Sequence, residues 1–165
     1  MPTPVGHFLS AGLVLAGIRQ RIQLNRRLVA GILFFSILPD LDFVFGFLVG
    51  EPNRYHHHFT HSLFFAAGAG ILVAALFAKN NYTHFKTCAV LFVMTAQFHI
   101  FMDLLALDTS EPFGAPIFWT FSDAYFISPF VLFSDVHRSS ASADFIQSLF
   151  SRHNLMTVLR EVVIL

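Results

Sequence analysis

The sequence is poor in charge. Only 12% of its 165 residues are Asp, Glu, Lys or Arg, against about 25% in a typical soluble domain. So few charges cannot coat a surface that meets water on every side, but they suffice where lipid covers much of it. Cysteine is nearly absent: Cys88 stands alone in an apolar run, which rules out an intrachain disulfide and suggests a buried spectator thiol. No charged residue occurs from Met1 to Ile18. A secretory signal carries its positive charge ahead of the apolar run, whereas here Arg19, Arg21, Arg26 and Arg27 follow it, so this segment is expected to be a retained helix. Internal repeats, low-complexity linkers, a Gly-rich phosphate loop and a nucleophile elbow are all missing. The basic residues are few and dispersed, which excludes a nucleic-acid surface.

Apolar types, by contrast, make up 55% of the chain, with 22 phenylalanines and a mean hydropathy of +0.64. Five apolar stretches can be marked, at about 4–18, 28–49, 62–78, 87–107 and 117–133. A spanning helix needs roughly 20 residues, with a lower limit near 17. The second and fourth stretches meet this, and the third is just long enough. The first is short, and Asp123 and Pro129 interrupt the fifth. The fold class that follows is all-α, a polytopic membrane bundle of about four to five apolar helices over residues 1–134. The tail, 135–165, is more polar. Its residues Phe145, Ile146, Leu149, Phe150, Leu155, Met156, Leu159 and Val163 recur near helical spacing, which predicts an amphipathic helix on the membrane surface over 144–163.

Basic residues orient such a bundle. Arg19, Arg21, Arg26 and Arg27 fall in the first loop, Lys79 and Lys86 in the third, and Arg138, Arg152 and Arg160 in the tail. With five spans these regions share the cytoplasmic side, leaving Arg54 outside, the N-terminus outside and the C-terminus inside. Asp40, Asp42, Glu51, Asp103, Asp108, Glu111, His7, His56, His57, His58, His61 and His99 then all fall towards the outer side. No motif enters the choice of topology, yet it collects the candidate ligands at one depth.

Three clusters carry the chemistry. Asp40 and Asp42 sit in Ile37-Leu38-Pro39-Asp40-Leu41-Asp42, inside the longest apolar stretch. An Asp at the bilayer centre costs about 2.5–3.5 kcal/mol, so the pair needs partners or a place near the interface. Pro39 removes an amide donor and bends the helix, and irregular backbone at that depth is tolerated where it lines a protein cavity. The plainer reading is a Pro-Asp helix end with solvated carboxylates. The second cluster, Tyr55-His56-His57-His58-Phe59-Thr60-His61-Ser62, places four histidines within six residues. Imidazoles suit Zn, and also Fe, Ni or Cu; the alternative is a polar loop at the headgroups that senses pH. The third, His99-x3-Asp103, puts two ionisable groups on one face of an apolar helix, which indicates a metal or another buried charge as partner or a plain His–Asp hydrogen bond. His7 is weak alone, and His84, His137 and His153 carry no assigned role.

Taken in order, His7, Leu38-Pro39-Asp40-Leu41-Asp42, His56-x4-His61-Ser62 and His99-x3-Asp103 resemble the LexA-regulated, membrane-bound metal-dependent hydrolases of bacteria and archaea. Pro112-Phe113-Gly114-Ala115-Pro116-Ile117-Phe118-Trp119-Thr120-Phe121-Ser122 resembles that family's Tyr-Gly-x-Pro…Trp-Pro-Phe-Ser segment, so the likeness covers about 7–122. The family usually has His-Arg-Gly-x-Thr-His-Ser; here His57 and His58 replace Arg and Gly, leaving His56 and His61 as the carried-over ligands. The Trp-Thr-Phe block, for Trp-Pro-Phe, reads as a minor change. The family is distantly similar to the zinc-dependent phospholipase C superfamily, whose later His-x3-Glu pair is missing: Thr157, not histidine, precedes Glu161 at that spacing.

The resemblance implies a metal shell of His7, Asp40 or Asp42, His56, His61, His99 and Asp103. It holds one or two divalent ions, most readily Zn, with Mn or Fe as alternatives. Whichever of Asp40 and Asp42 does not bind metal becomes a general base or orients a ligand histidine, and Asp108 is a further catalytic candidate in support. The implied activity is hydrolysis, by metal-activated water, of a phosphoester in a lipid or lipid-linked substrate, with the bilayer as partner. The rival classes are a metal transporter or other non-enzymatic metal-binding membrane protein, and a metal-free pH-responsive one.

Overall fold

A computed structural model of the chain describes residues 1–78 and 81–165. They form α1 (Pro4–Ile18), α2 (Arg26–Phe35), α3 (Asp42–Leu48), α4 (Leu63–Ala78), α5 (Tyr82–Leu104), α6 (Ser142–Ser148) and α7 (Arg152–Ile164), with 3-10 turns at Pro39–Leu41, Pro52–Tyr55 and Phe59–His61. The all-α expectation holds, with no strand among the described residues. Thr3, Asn25, Asn81 and Ser151 each cap a helix with a side-chain oxygen. The core lies between α1, α2, α4 and α5. Small residues set the spacing: Ala66, Gly70, Ala74 and Ala78 recur every four residues on the buried face of α4. A Cβ on Gly70 would lie 2.6 Å from Val93 Cγ2, so α4 and α5 touch nearly backbone to backbone. Phe92 lies over Gly31, where a Cβ would be 2.6 Å from its ring, and stacks on Phe35 at 4.7 Å.

Several expectations are corrected. Within the described residues one helical segment, Thr83–Leu104, is long and apolar enough to cross a membrane; α2 and α3 add a second only as one span broken by 65°. Helices α1 and α4 are apolar but only 15 and 16 residues long, so a bundle of four to five spanning helices is not supported. The stretch 28–49 breaks where Pro39, lacking an amide hydrogen, opens a 3-10 turn. The stretch 117–133 forms no helix. Ala115 and Phe126 exchange backbone hydrogen bonds, and Leu107 donates to Phe133 at 2.9 Å. Gly114, at φ 83° and packed against Phe126, sets the turn. Thr120 has φ 87°, a region closed to proline, so Trp-Thr-Phe is no minor change from Trp-Pro-Phe.

The predicted amphipathic tail helix is two helices, interrupted where Ser151 accepts from Asn154 N and starts α7 afresh. Helix α7 is also inverted: Asn154, Thr157 and Glu161 are buried, while Leu155, Met156, Leu159, Val162 and Val163 are exposed. An apolar outer face over a polar inner stripe is the pattern of a surface covered by lipid. Glu161 accepts from Thr3 N at 2.6 Å and from the Thr3 hydroxyl, and Arg138 Nε donates to Asn53 Oδ1 at 2.9 Å. The tail therefore packs at the end of the bundle that holds residues 3 and 53. With no fifth helical crossing among the described residues, Arg138, Arg152 and Arg160 do not reach the end that carries Arg19, Arg21, Arg26, Arg27 and Lys86; Lys79 lies outside the described residues.

Candidate metal centre

The break in the second apolar stretch builds the centre. It leaves the Ser36 carbonyl oxygen to accept from His99 Nδ1 at 2.7 Å. A carbonyl can only accept, so Nδ1 carries the proton and a neutral His99 presents the Nε2 lone pair. That nitrogen lies 3.0 Å from Asp103 Oδ2 and 3.5 Å from Asp40 Oδ1. His7, from the first turns of α1, stacks on His99 at 3.7 Å and points Nε2 to Asp103 Oδ1 at 3.4 Å and Asp40 Oδ2 at 4.0 Å. His61 comes from the 3-10 turn before α4; its Nε2 sits 3.6 Å from Asp40 and 3.4 Å from Asp103.

Asp40 and Asp42 divide the work that the sequence left open between them. Asp40 faces the three imidazole Nε2 atoms. Asp42, almost fully buried, takes His56 Nδ1 on Oδ1 at 3.0 Å and His61 Nδ1 on Oδ2 at 3.2 Å, and accepts from the Thr60 hydroxyl at 2.9 Å. An ionised carboxylate only accepts, so both histidines hold their protons on Nδ1 and turn Nε2 outward. Gly46 makes this approach feasible: a Cβ there would lie 2.6 Å from Glu51 O and closer still to Pro52 O, so only glycine lets the 50s loop fold against α3.

Buried polar atoms normally find partners. Here both ring nitrogens of His7, Nε2 of His57, His61 and His99, and all four carboxylate oxygens of Asp40 and Asp103 are buried without a hydrogen bond. His61, His99 and Asp103 offer ligand atoms within 4.8 Å of one another, as do His7, Asp40 and His99, and His56, His57 and His61. This donor set of imidazoles and carboxylates fits Zn or another divalent transition ion. A cation would satisfy the orphaned atoms together.

Burial drives His56 down to about 4, the Asp42 contact offsetting only part of it, and holds His57 well below the ordinary range. Both are therefore neutral and ready to ligate at neutral pH. Burial would depress His61 too, but contacts with Asp103, Asp40 and Asp42 outweigh it and raise its pKa well above the usual value.

The structure thus brings together His7, Asp40, His61, His99 and Asp103, with Asp42 in support. His56 stands at the edge, its Nε2 meeting the Met1 thioether at 2.7 Å. Asp108 stands apart from these carboxylates. It accepts from Gly114 N at 2.5 Å and Ser110 N at 3.3 Å, and its Oδ2 lies 3.8 Å from His57 Nδ1, so it anchors the 110–114 turn and braces His57. His57 joins the centre although the resemblance gave its position to arginine; the run of four histidines was the signal for it. His58 packs against Tyr55 instead.

No curated protein and no solved structure matches the chain at a significant level. The family model described as YdjM inner membrane protein matches residues 1–164, and the chain belongs to that family of LexA-regulated inner membrane proteins.

Proposed function

We propose that this inner membrane protein is a metal-dependent hydrolase acting on a phosphoester of a lipid or lipid-linked substrate. The observation that carries the reading is the convergence of buried, unpartnered donor atoms from His7, Asp40, His61, His99 and Asp103. A divalent ion held by these residues would supply Lewis acidity, lowering the pKa of water and drawing charge from a phosphoester oxygen. The chain supplies the rest. Asp42 and the Ser36 carbonyl hold three imidazoles in the ligating tautomer. Asp40 also borders a cavity of about 210 Å³ whose wall is otherwise mostly apolar, including Ile37, Phe43, Val136 and Phe145. Arg138 enters the same cavity with its guanidinium 5.3 Å from the Phe43 ring centre. Among the described residues its guanidinium donates through Nε alone, which leaves planar donors to bind a phosphate. An apolar wall and a guanidinium lining the cavity beside the candidate ligands suit an anionic head attached to a hydrocarbon chain.

Charge asymmetry supports a placement of this site away from the cytoplasm. All ten acidic residues lie within 40–51 or 103–161, whereas Arg19, Arg21, Arg26, Arg27, Lys79 and Lys86 fall in segments with no acid. The positive-inside rule then assigns that basic end to the cytoplasm. The test is release of phosphate or of a phosphorylated head group from short-chain phospholipids and lipid-linked phosphates, with and without chelator. The wild type should turn over one of these classes, chelator should abolish it, and His99→Ala should lose both metal and turnover. Bound metal with no turnover on any phosphoester would leave a metal-binding protein and defeat the enzymatic reading.

A further inference from the structure

A second cluster of ligating side chains lies outside the buried centre, where the segment before α6 meets the first turn of α7. His153 Nε2 sits 3.0 Å from Asp135 Oδ1, and His137 Nε2 sits 3.3 Å from Asp135 Oδ2. We propose that Asp135, His137 and His153 form a separate site for a divalent transition-metal ion.

Two features favour an ion over a plain hydrogen-bonded triad. The imidazoles of His137 and His153 stack face to face at 3.7 Å and 5°, although aromatic rings prefer offset or edge-on packing to a parallel sandwich. Both rings also present the same nitrogen to one carboxylate, and His153 Nε2 meets the Asp135 carbonyl oxygen as well at 3.1 Å, so an ion here takes the place of the proton on that nitrogen. The pair His7 and His99 shows the same arrangement, stacked at 3.7 Å with both Nε2 atoms turned to Asp103. The local geometry of the buried centre thus recurs in the tail. Ligands about 2.0–2.2 Å from a tetrahedral zinc lie about 3.3–3.6 Å from each other, and the two histidine nitrogens lie 3.0 and 3.3 Å from the Asp135 oxygens, with all three residues offering ligand atoms within 4.8 Å of one another.

The ligands are held by their backbone. Asn154 accepts from His137 N at 2.8 Å and donates to His137 O at 2.7 Å. Thr157 donates to Asp135 O at 3.3 Å, and Thr109 donates to Asp135 Oδ2 at 2.9 Å. Such outer contacts fix ligand orientation before an ion arrives. Two imidazoles and one carboxylate select Zn, Ni or Cu over Mg or Ca. The His137 side chain is 60% exposed, so a coordination position stays open to solvent and the ion binds more weakly than in the buried centre. Its ligand His137 adjoins Arg138, so occupancy fixes the segment that carries the cavity's guanidinium. The site does not depend on the hydrolase reading.

The experiment is equilibrium dialysis of the full chain in mild detergent against zinc at buffered free concentrations. The variants are His137→Gln, His153→Ala and, for the buried centre, His99→Ala. His137→Gln keeps a donor towards Asp135 but is a poor ligand, so it should melt as the wild type does in chelator. The wild type should show a weaker class of zinc that both tail variants bind at least tenfold less tightly, while His99→Ala keeps it. Unchanged uptake in His137→Gln and His153→Ala, or a weaker class seen only at millimolar zinc, would overturn the proposal. Loss of zinc in His99→Ala alone would speak to the buried centre and leave the tail site refuted.

Discussion

The Asp42 carboxylate lies 3.0 Å from His56 Nδ1, and its second oxygen reaches Nδ1 of His61 at 3.2 Å. One acid therefore sets the tautomer of two imidazoles without itself facing the other Nε2 atoms, as Asp40 does. Losing such an outer contact typically costs about 10–100-fold in metal affinity. Asp42→Asn should weaken zinc by that order, measured by competition with a chelator, and Asp40→Asn, which removes a ligand oxygen, should weaken it more. The reverse order would undo this division of labour.

His57 adopts φ 60°, a left-handed conformation that non-glycine residues enter at a cost of about 1–3 kcal/mol when the surroundings impose it. Glycine relieves that strain and removes the imidazole. His57→Gly should leave the melting temperature unchanged or higher while zinc affinity falls. A variant that melts lower with unaltered zinc binding would make His57 a packing residue.

Much of the centre was legible because each residue type announced itself: carboxylates in an apolar stretch at Asp40 and Asp42, and a His–Asp pair one helical turn apart at His99 and Asp103. What could not be read was which oxygen faces which nitrogen, since Asp40 and Asp42 differ only in where the break at Pro39 turns them. In the sequence Arg138 reads only as a topological charge, because nothing local ties it to Asn53, 85 positions away. The stretch 117–133 is as apolar as a span, yet Gly114 and the paired backbones of Ala115 and Phe126 fold it into a surface layer. Its exposed Phe121, Ile127, Phe130 and Val131 show why hydropathy alone misleads: an apolar composition reports an apolar surface, not a helix that crosses the bilayer.

Gly46 offers a test of the loop that carries the histidines. A Cβ there meets the carbonyl oxygens of Glu51 and Pro52, which are backbone atoms and cannot rotate away. Gly46→Ala should destabilise the protein by about 1–3 kcal/mol and lower bound zinc, as the loop moves His56 and His61 off Asp42. Normal stability and zinc content would show that the loop has room to shift.

Acid should act through His56. Its folded pKa, about 4, lies below the ordinary value of 6.5, so its contribution to stability is complete above 6.5 and is lost as pH falls towards 4. In chelator, the melting temperature of the wild type should drop across that window, and His56→Gln should flatten the drop. An equal decline in both proteins would move the effect to other groups, His57 first among them.

The tail's attachment to the site end has a consequence for topology. Helices α1, the broken α2–α3 pair, α4 and α5 run alternately away from and towards the end that holds His7, Asp40, His61 and Asp103, and among the described residues no further helix carries the chain back. Thr3 and Glu161, bonded at 2.6 Å, must then lie on one side. A reporter inserted between Arg21 and Asn25 should register as cytoplasmic, and one fused after Leu165 should register on the opposite side. If both report from the cytoplasm, a crossing between Leu104 and Ser142 is required, and the contacts of Arg138 with Asn53 and of Glu161 with Thr3 cannot exist in the membrane.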